Sequence, residues 1–239
     1  MSAISRVLGM FFKFIYDSLS GIMNEPKSIS IFAITIIIST IILKIIVMPI
    51  SISQMKNQKK MAELQPELQK IQKKYKGDPK TLAAKQQQLY KDANYNMLSG
   101  CLPMVIQMII LLAFYRVFYE PAKYVFTEPG AYDQIAKHFF YIKNIDHPDT
   151  SLILPVVAAF ATFLSSWIMS NNPATKMQQT EQSKSMMNTM NILMPIMIFL
   201  MGRRFAAALV LYWIVSSLFQ VFQTQIQNII IKREVEAEQ

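Results

Sequence analysis

One lysine stands inside the longest apolar segment of the sequence. Lys44 is the only charged residue between Ile29 and Ile50, and a cation at the centre of a membrane-spanning helix costs about 2.5–3.5 kcal/mol on insertion scales. Such a cost is typical of a functional residue that finds water or a partner. We expect Pro49 to end the regular helix near the cytoplasmic side, so snorkelling of Lys44 to the inner headgroups is the alternative.

Polar, uncharged side chains recur in the other apolar segments, and none of these segments contains Asp or Glu. The missing carboxylates argue against a proton relay or a cation transporter and favour a site that attracts negative charge on a passing segment. A small-solute or anion transporter is the alternative, although the sequence has no visible internal repeat. The residues expected to line a water-filled cavity are Gln107, Thr162, Ser165, Ser166, Asn188, Thr189, Asn191, Ser216, Ser217 and Gln220.

Methionines form a stripe near the carboxyl-terminal part of the chain. Their 4-4-3-4 spacing places them on one helical face, and flexible, polarizable side chains suit a surface that accepts many shapes. The sequence therefore suggests a hydrophobic slide, with ordinary helix packing or lipid contact as the alternative. The stripe comprises Met186, Met190, Met194, Met197 and Met201, and its candidate slide residues are Met190, Met194 and Met197.

Cysteine and histidine do not indicate a metal site. Cys101 is the only cysteine, which excludes an internal disulfide and a cysteine-based zinc site. His138 and His147 stand in a polar connection with Asp146 and Asp149, and we expect no metal there. No Walker-type glycine loop occurs, so we expect no cofactor, no nucleotide site and no enzyme activity.

Long apolar runs determine the predicted fold class. Apolar residues make up 52% of the chain and charged residues 16%, a distribution typical of an all-α integral membrane protein. We predict five transmembrane helices, of which the fourth is short. The predicted segments are an interfacial amphipathic helix at 1–28, spans at 29–50, 101–119, 151–170 and 186–202, and an outer turn with the last span at 203–231.

The first segment shows helical periodicity. Its apolar residues recur at spacings of 3, 4 and 7, which predicts one apolar face lying in the membrane interface. The residues of this face are Val7, Leu8, Phe11, Phe12, Phe14, Ile15 and Leu19.

Lysines are concentrated in the 51–100 connection, which holds ten of them against four acidic residues. Because positively charged loops stay in the cytoplasm, this connection should be cytoplasmic. The amino terminus and the 120–150 loop are then extracytoplasmic, and the 171–185 loop and the 232–239 tail are cytoplasmic. Arg203 and Arg204 fall on the outer turn, against the trend of the rule.

The cytoplasmic connection has the pattern of a helical hairpin. Apolar residues from Met61 to Tyr75 follow 3-4-3-4 spacing, Gly77-Asp78-Pro79 breaks the helix, and a weaker stripe follows. This spacing predicts two antiparallel helices. They serve either as a docking arm for headgroups, ribosomal RNA or a targeting factor, or as a solvated linker. The candidate docking residues are Lys56, Lys59, Lys60, Lys73 and Lys74.

Three strings resemble the YidC family of membrane insertases, which is related to the Oxa-type and Albino-type proteins. They read LKIIVMP at 43–49, GCLPMVIQM at 100–108 and ALVLYWIVSS at 208–217. The likeness extends over almost the whole chain and favours the shorter form typical of Gram-positive bacteria. It implies five helices around a hydrophilic groove that is open to cytoplasm and lipid and closed to the outside.

The resemblance also implies roles for individual residues. Lys44 matches the family's groove arginine; it keeps the charge but loses the planar fork. Ala206, Ala207 or Ala208 stands where the family usually has proline and glycine. The residues implied to line the groove and contact a client are Gln107, Ser165, Ser166, Tyr212, Trp213, Ser216 and Gln220.

The function implied by the resemblance is that of an insertase and chaperone in the bacterial plasma membrane. It would receive nascent membrane proteins and release their helices into the bilayer, alone or with the Sec translocon. Besides these clients and the lipid bilayer, the ribosome and the signal recognition machinery are candidate partners; sequence-specific nucleic acid is not expected. A scaffold or assembly factor for other membrane complexes is a further alternative.

Overall fold

The computed structural model describes residues 2–96, 102–171 and 181–237. In these ranges helices are the only extended regular elements, accompanied by isolated β-bridges, so the predicted all-α fold class is confirmed. The helices are α1 Ser2–Ile22, α2 Ile31–Lys74, α3 Pro79–Asp92, α4 Leu102–Tyr119, α5 Pro121–Tyr124, α6 Ile153–Ser170, α7 Glu181–Gly202 and α8 Ala207–Ala237, with a 3-10 helix at Ala131–Gln134.

Five of the helices are apolar, and they follow the predicted order. Three are long and apolar enough to cross a membrane, at Ile31–Gln54, Ile153–Ser170 and Ala207–Ile230. Shorter apolar stretches occupy Val105–Tyr119 of α4 and Met187–Gly202 of α7. The count of five spans therefore stays a prediction.

Helix α2 corrects one expectation. It runs for 44 residues with Pro49 and Pro66 inside it, so Pro49 does not end the regular helix. A proline inside a helix removes one backbone hydrogen bond and crowds the preceding turn. Pro49 lies on the exposed side of α2, whereas another face packs along α8. That packing continues past the proline, since Gln227 of α8 still reaches the carbonyl of Ser51, and it holds the helix together.

The amino-terminal helix divides its apolar residues between two faces. Phe12 and Ile15 of α1 are buried, and a Cβ placed on Gly9 would lie 2.1 Å from the carbonyl oxygen of Tyr124. Val7 and Phe14 point away from the protein and are 60% and 71% exposed. Part of the apolar side of α1 therefore packs into the protein core and part stays exposed, while the interfacial location of the helix stays a prediction.

Two helices joined by a short turn occupy the region for which the hairpin is predicted. Helix α2 ends at Lys74 and α3 begins at Pro79, with the Asp78 carboxylate accepting a hydrogen bond from the Thr81 backbone. Because Lys60 donates to the Asn94 carbonyl at 3.4 Å, α3 returns antiparallel to α2. Which side of the membrane the hairpin occupies is still a prediction.

At the end of the molecule opposite the hairpin, α1 packs with residues 120–152, which include α5. We call this structure the cap. The largest buried cluster joins the cap to α2, α4 and α8. Aromatic rings dominate this contact, with the Phe12 ring centroid 5.5 Å from Phe32 and 5.9 Å from Phe118. Much of the apolar core therefore lies at this end of the helices.

Candidate functional site

A chain of hydrogen bonds connects three helices around Lys44. The Nζ atom of Lys44 on α2 donates to Oε1 of Gln107 on α4 at 3.0 Å. The Nε2 atom of Gln107 then donates to the Tyr212 hydroxyl on α8 at 3.1 Å. Tyr212 is only 1% exposed, while Lys44 is half-buried. We call this arrangement the Lys44 relay.

The relay leaves the charge of Lys44 uncompensated. An amide is a neutral acceptor, and an ammonium group has three N–H donors, so Gln107 satisfies one donor without neutralising the cation. Among the described residues, the salt bridges lie elsewhere and none of them includes Lys44. An acidic group that reaches this position would therefore meet an unneutralised positive charge.

Polar side chains continue from Lys44 toward the hairpin, between α2 and α8. Gln54 of α2 is 6% exposed, and its Nε2 atom has no hydrogen-bond partner among the residues that the structure describes, although a buried amide normally has one. On α8, Gln223 and Thr224 are also buried. The Nε2 atom of Gln227 donates to the Ser51 carbonyl at 3.4 Å. We call this line the polar seam.

Sequence reasoning missed most of the seam. Gln220, on α8, was among the expected lining residues and is half-buried. Gln223 and Gln227 follow it at helical spacings of three and four residues. This run of glutamines on one face was the signal, but it begins where the apolar run of the last span fades, so it resembles an ordinary solvated helix end.

The serines predicted on α6 belong to a separate contact. Ser165 is buried and donates to the Thr162 carbonyl at 2.9 Å, while the Thr162 and Ser217 hydroxyls lie 3.4 Å apart across α6 and α8. Ser166 is half-buried on the same helix. In the part of the chain that the structure describes, no hydrogen bond links these residues to Lys44.

Three of the predicted client-contact residues on α8, Tyr212, Trp213 and Ser216, are enclosed in this conformation. Tyr212 packs on Phe114 with ring centroids 4.8 Å apart, and Trp213, which is 8% exposed, packs on Phe205 at 5.9 Å. Ser216 is 7% exposed. A client could touch these side chains only after the helices separate, and their contact with a client stays a prediction.

The methionine stripe lies mainly on the surface. Met190, Met194 and Met197 are 41%, 44% and 47% exposed, whereas Met201 packs against the core. Gly202 at the end of the same helix packs against Pro155 of α6, where an added Cβ would lie 3.2 Å from the Pro155 Cβ. The helix-packing interpretation is therefore disfavoured for the three candidate slide residues, while lipid contact and a client slide both remain open.

Several predicted residues lie outside the described part of the structure. Cys101 is one of them, and the side chains of Lys56 and Lys59 are not described either. Of the remaining docking lysines, Lys73 and Lys74 are exposed on the hairpin.

Loop residues of the cap form hydrogen bonds with the first turns of several helices. The Asp149 carboxylate accepts hydrogen bonds from the Leu154 backbone at 2.8 Å, from Ser151 and from the Tyr141 hydroxyl at 2.8 Å. Burial alone would raise the pKa of Asp149, but these hydrogen bonds outweigh it and lower the pKa. Asp149 thus holds the first turn of α6.

The same loop also engages α8 and the entry to α2. The backbone N–H groups of Ala207 and Ala208 donate to the carbonyls of His147 and Ile145 at 3.0 and 2.9 Å. Ser30 donates to the His138 carbonyl at 2.9 Å. Since the first N–H groups of a helix lack partners within it, the cap supplies acceptors and closes this end of the bundle.

Apolar helices around a half-buried cation, closed at one end by a cap, define a polytopic helical membrane protein. A family model described as "60Kd inner membrane protein" matches residues 25–235. The chain belongs to this family of bacterial membrane proteins, which confirms the resemblance found in the sequence.

Individual relatives and a solved structure agree with this assignment. The chain is 36% identical over 231 residues to the membrane protein insertase YidC of Clostridium perfringens, covering 94% of this chain and 91% of that protein. It is 40% identical over 211 residues to membrane protein insertase YidC 1 of Listeria monocytogenes, covering 87% and 67%. The crystal structure of an active YidC insertase with its first transmembrane domain resolved matches with a TM-score of 0.57 at 24% identity. That match covers 92% of this chain but 45% of the crystallised chain, and it supports the fold.

Proposed function

We propose that the protein inserts other membrane proteins into the bacterial plasma membrane. Relatives that align with this chain over most of their own length are named membrane protein insertases. The observation that carries the proposal is the Lys44 relay, which holds an uncompensated cation between α2, α4 and α8. A short acidic segment of a nascent protein would be drawn to this charge.

The polar seam supplies the rest of the mechanism. A polar segment crosses a bilayer more easily when part of the path is hydrated, because the dry distance that it must travel is shorter. Amide and hydroxyl groups between α2 and α8 would hydrate the half of the path nearest the hairpin. The cap would close the other half, and the apolar client helix would leave past α6 and α8 into lipid. No bond is made or broken, so neither a cofactor nor a catalytic residue is needed.

The orientation and the partners form a finer part of the proposal. The hairpin and the 232–239 tail would lie in the cytoplasm, with the cap and the amino terminus outside. Exposed lysines on the hairpin would meet the ribosome, the signal recognition machinery or anionic headgroups, with the Sec translocon as a further partner. Their support is the concentration of lysine in 51–100.

Replacing Lys44 tests the proposal. In proteoliposomes with a single-spanning client that has an acidic amino-terminal tail, Lys44→Ala should slow insertion about tenfold, which is about 1.4 kcal/mol of lost attraction. Lys44→Glu should slow it further because it repels the tail, and Lys44→Arg should preserve insertion. Insertion would be measured by protease protection of the tail.

Lys27→Ala is the matched control, since Lys27 is an exposed lysine on the cap side of α2. It should leave insertion unchanged. If Lys44→Ala and Lys44→Glu both insert the acidic client at the wild-type rate while remaining folded, the electrostatic mechanism is wrong. A client with a neutral tail should respond less to either change.

A further inference from the structure

An exposed apolar stripe runs along α4 toward the cap. Its residues recur at spacings of three and four, so they share one face of the helix and span about 21 Å along its axis. The exposed fractions are 49% for Val105, 47% for Met108, 42% for Leu112, 36% for Tyr115 and 73% for Tyr119.

The stripe ends at a polar pocket of about 370 Å³. Lys123 and Glu120 form an ion pair at 2.9 Å within it, so their charges compensate each other. Arg116 forms no ion pair with any described residue, and the pocket therefore carries a net positive charge. The lining residues are Tyr115, Arg116, Tyr119, Glu120, Lys123 and Tyr124.

The pocket wall is built on fixed backbone. Helix α5 begins immediately after Glu120, and its Tyr124 carbonyl lies so close to Gly9 of α1 that no side chain fits between them. The rings of Tyr115 and Tyr119 stack with centroids 5.6 Å apart. A ligand would thus meet preformed walls, which reduces the entropy lost on binding.

We propose that this pocket binds the phosphate of an anionic phospholipid, with an acyl chain lying along the α4 stripe. A guanidinium pairs with phosphate through two parallel hydrogen bonds, and tyrosines are typical of the boundary between headgroups and acyl chains. The net charge of the pocket favours a headgroup with no cation of its own. The exposed apolar stripe next to the pocket fits the acyl chain of an amphipathic ligand, which a free phosphate lacks. The phosphate pocket lies at the cap end of α4, away from the Lys44 relay, and the lipid proposal does not depend on the insertase proposal.

Lipid binding by the full chain in detergent tests this site. Native mass spectrometry should show retained phosphatidylglycerol in preference to phosphatidylcholine of the same chain length, and phosphatidylglycerol should raise the melting temperature more. Arg116→Gln should weaken phosphatidylglycerol binding about tenfold, since each tenfold step corresponds to about 1.4 kcal/mol. Arg116→Lys should retain part of the binding.

Arg204→Gln is the matched control, because Arg204 is an exposed arginine at the same end of the molecule but outside the pocket. It should bind phosphatidylglycerol as the wild type does. Equal binding by Arg116→Gln and Arg204→Gln would overturn the proposal, as would equal or stronger binding of phosphatidylcholine by the wild type. Glycerol 3-phosphate should raise the melting temperature little. If it reproduces the lipid effect, the ligand is a soluble phosphate and the lipid assignment is wrong. If Arg116→Gln does not fold, two measurements still test the proposal. They are the preference of the wild type for phosphatidylglycerol over phosphatidylcholine and the partial phosphatidylglycerol binding expected of Arg116→Lys.

Discussion

The cap and the polar seam differ in the side chains that they bury. The cap buries large apolar side chains such as Phe12, Phe32 and Ile145, each at most 1% exposed. The seam holds the buried amides of Gln54 and Gln223 and begins next to the half-buried Lys44. One end of the molecule thus resembles the close-packed core of a soluble domain, while the other keeps polar groups between its helices.

This difference separates stability from function. A buried amide donor without a partner costs about 1–3 kcal/mol, and Nε2 of Gln54 has none in the described part of the chain. Burial of the aromatic cluster stabilises the fold by more than that, because each fully buried large apolar side chain contributes about 1.5–3 kcal/mol. The cap can therefore hold the helix starts together while the seam keeps donors that a client could engage.

The largest loss of stability should come from creating a cavity in the apolar core of the cap. Phe12→Ala removes a fully buried ring between Phe32 and Phe118 and should lower the free energy of unfolding by about 3–5 kcal/mol. Phe14→Ala on the same helix is the matched control, because Phe14 is 71% exposed. It should change stability by no more than about 0.5 kcal/mol. Denaturant unfolding in detergent measures both, and similar losses would contradict the division of α1 into a packed and an exposed face.

A smaller loss of stability should come from weakening the hydrogen bonds that hold the first turn of α6. Asp149→Asn weakens hydrogen bonds to the Leu154 and Ser151 backbone and to Tyr141, and should cost about 2 kcal/mol at neutral pH. Asp133→Asn is the control, since Asp133 is an exposed carboxylate in the same loop. It should leave the melting temperature nearly unchanged.

The Asp149 contribution should also depend on pH. Its pKa is lowered in the folded protein, so the unfolded chain binds the proton more tightly and acid favours unfolding. The stabilisation is complete above the unfolded pKa of about 3.9 and is lost as the pH falls through the folded pKa. The gap in melting temperature between the wild type and Asp149→Asn should therefore be constant near pH 6 and shrink below about pH 4. A gap that widens with acid would contradict this assignment.

The sequence predicted the positions of the helices better than the contacts between them. Apolar run length located the helices, and the break at Gly77-Asp78-Pro79 located the hairpin turn, because both signals are local. The positive charge of Lys44 was also visible, since a lysine in an apolar run is conspicuous. The persistence of α2 beyond Pro49 was not predictable locally, because it depends on packing against α8.

Contacts between distant parts of the chain account for the rest. Gln107 was expected near the groove, but its position between Lys44 and Tyr212 requires α2, α4 and α8 to meet. The cap could not be predicted, because its acceptors for Ala207 and Ala208 are backbone carbonyls. Every residue carries such a carbonyl, so no residue type marks them.

The smallest expected free-energy change is at the Lys44 relay, and it tests function instead of stability. Gln107→Glu places a carboxylate where the amide oxygen now accepts from Lys44 at 3.0 Å. An internal carboxylate would neutralise the cation and compete with the tail of a client. Insertion of an acidic-tailed client should fall about tenfold, or about 1.4 kcal/mol, while a neutral-tailed client should be affected less.

Gln107→Leu is the companion variant, because it removes the amide without adding charge. It leaves Lys44 cationic, so acidic clients should still be inserted, although the Tyr212 hydroxyl loses its donor. Protease protection of both clients, measured for both variants, separates charge from packing. Equal losses for acidic and neutral clients in Gln107→Glu would mean that Gln107 only packs the helices, and the cation of Lys44 would then not be what the client recognises.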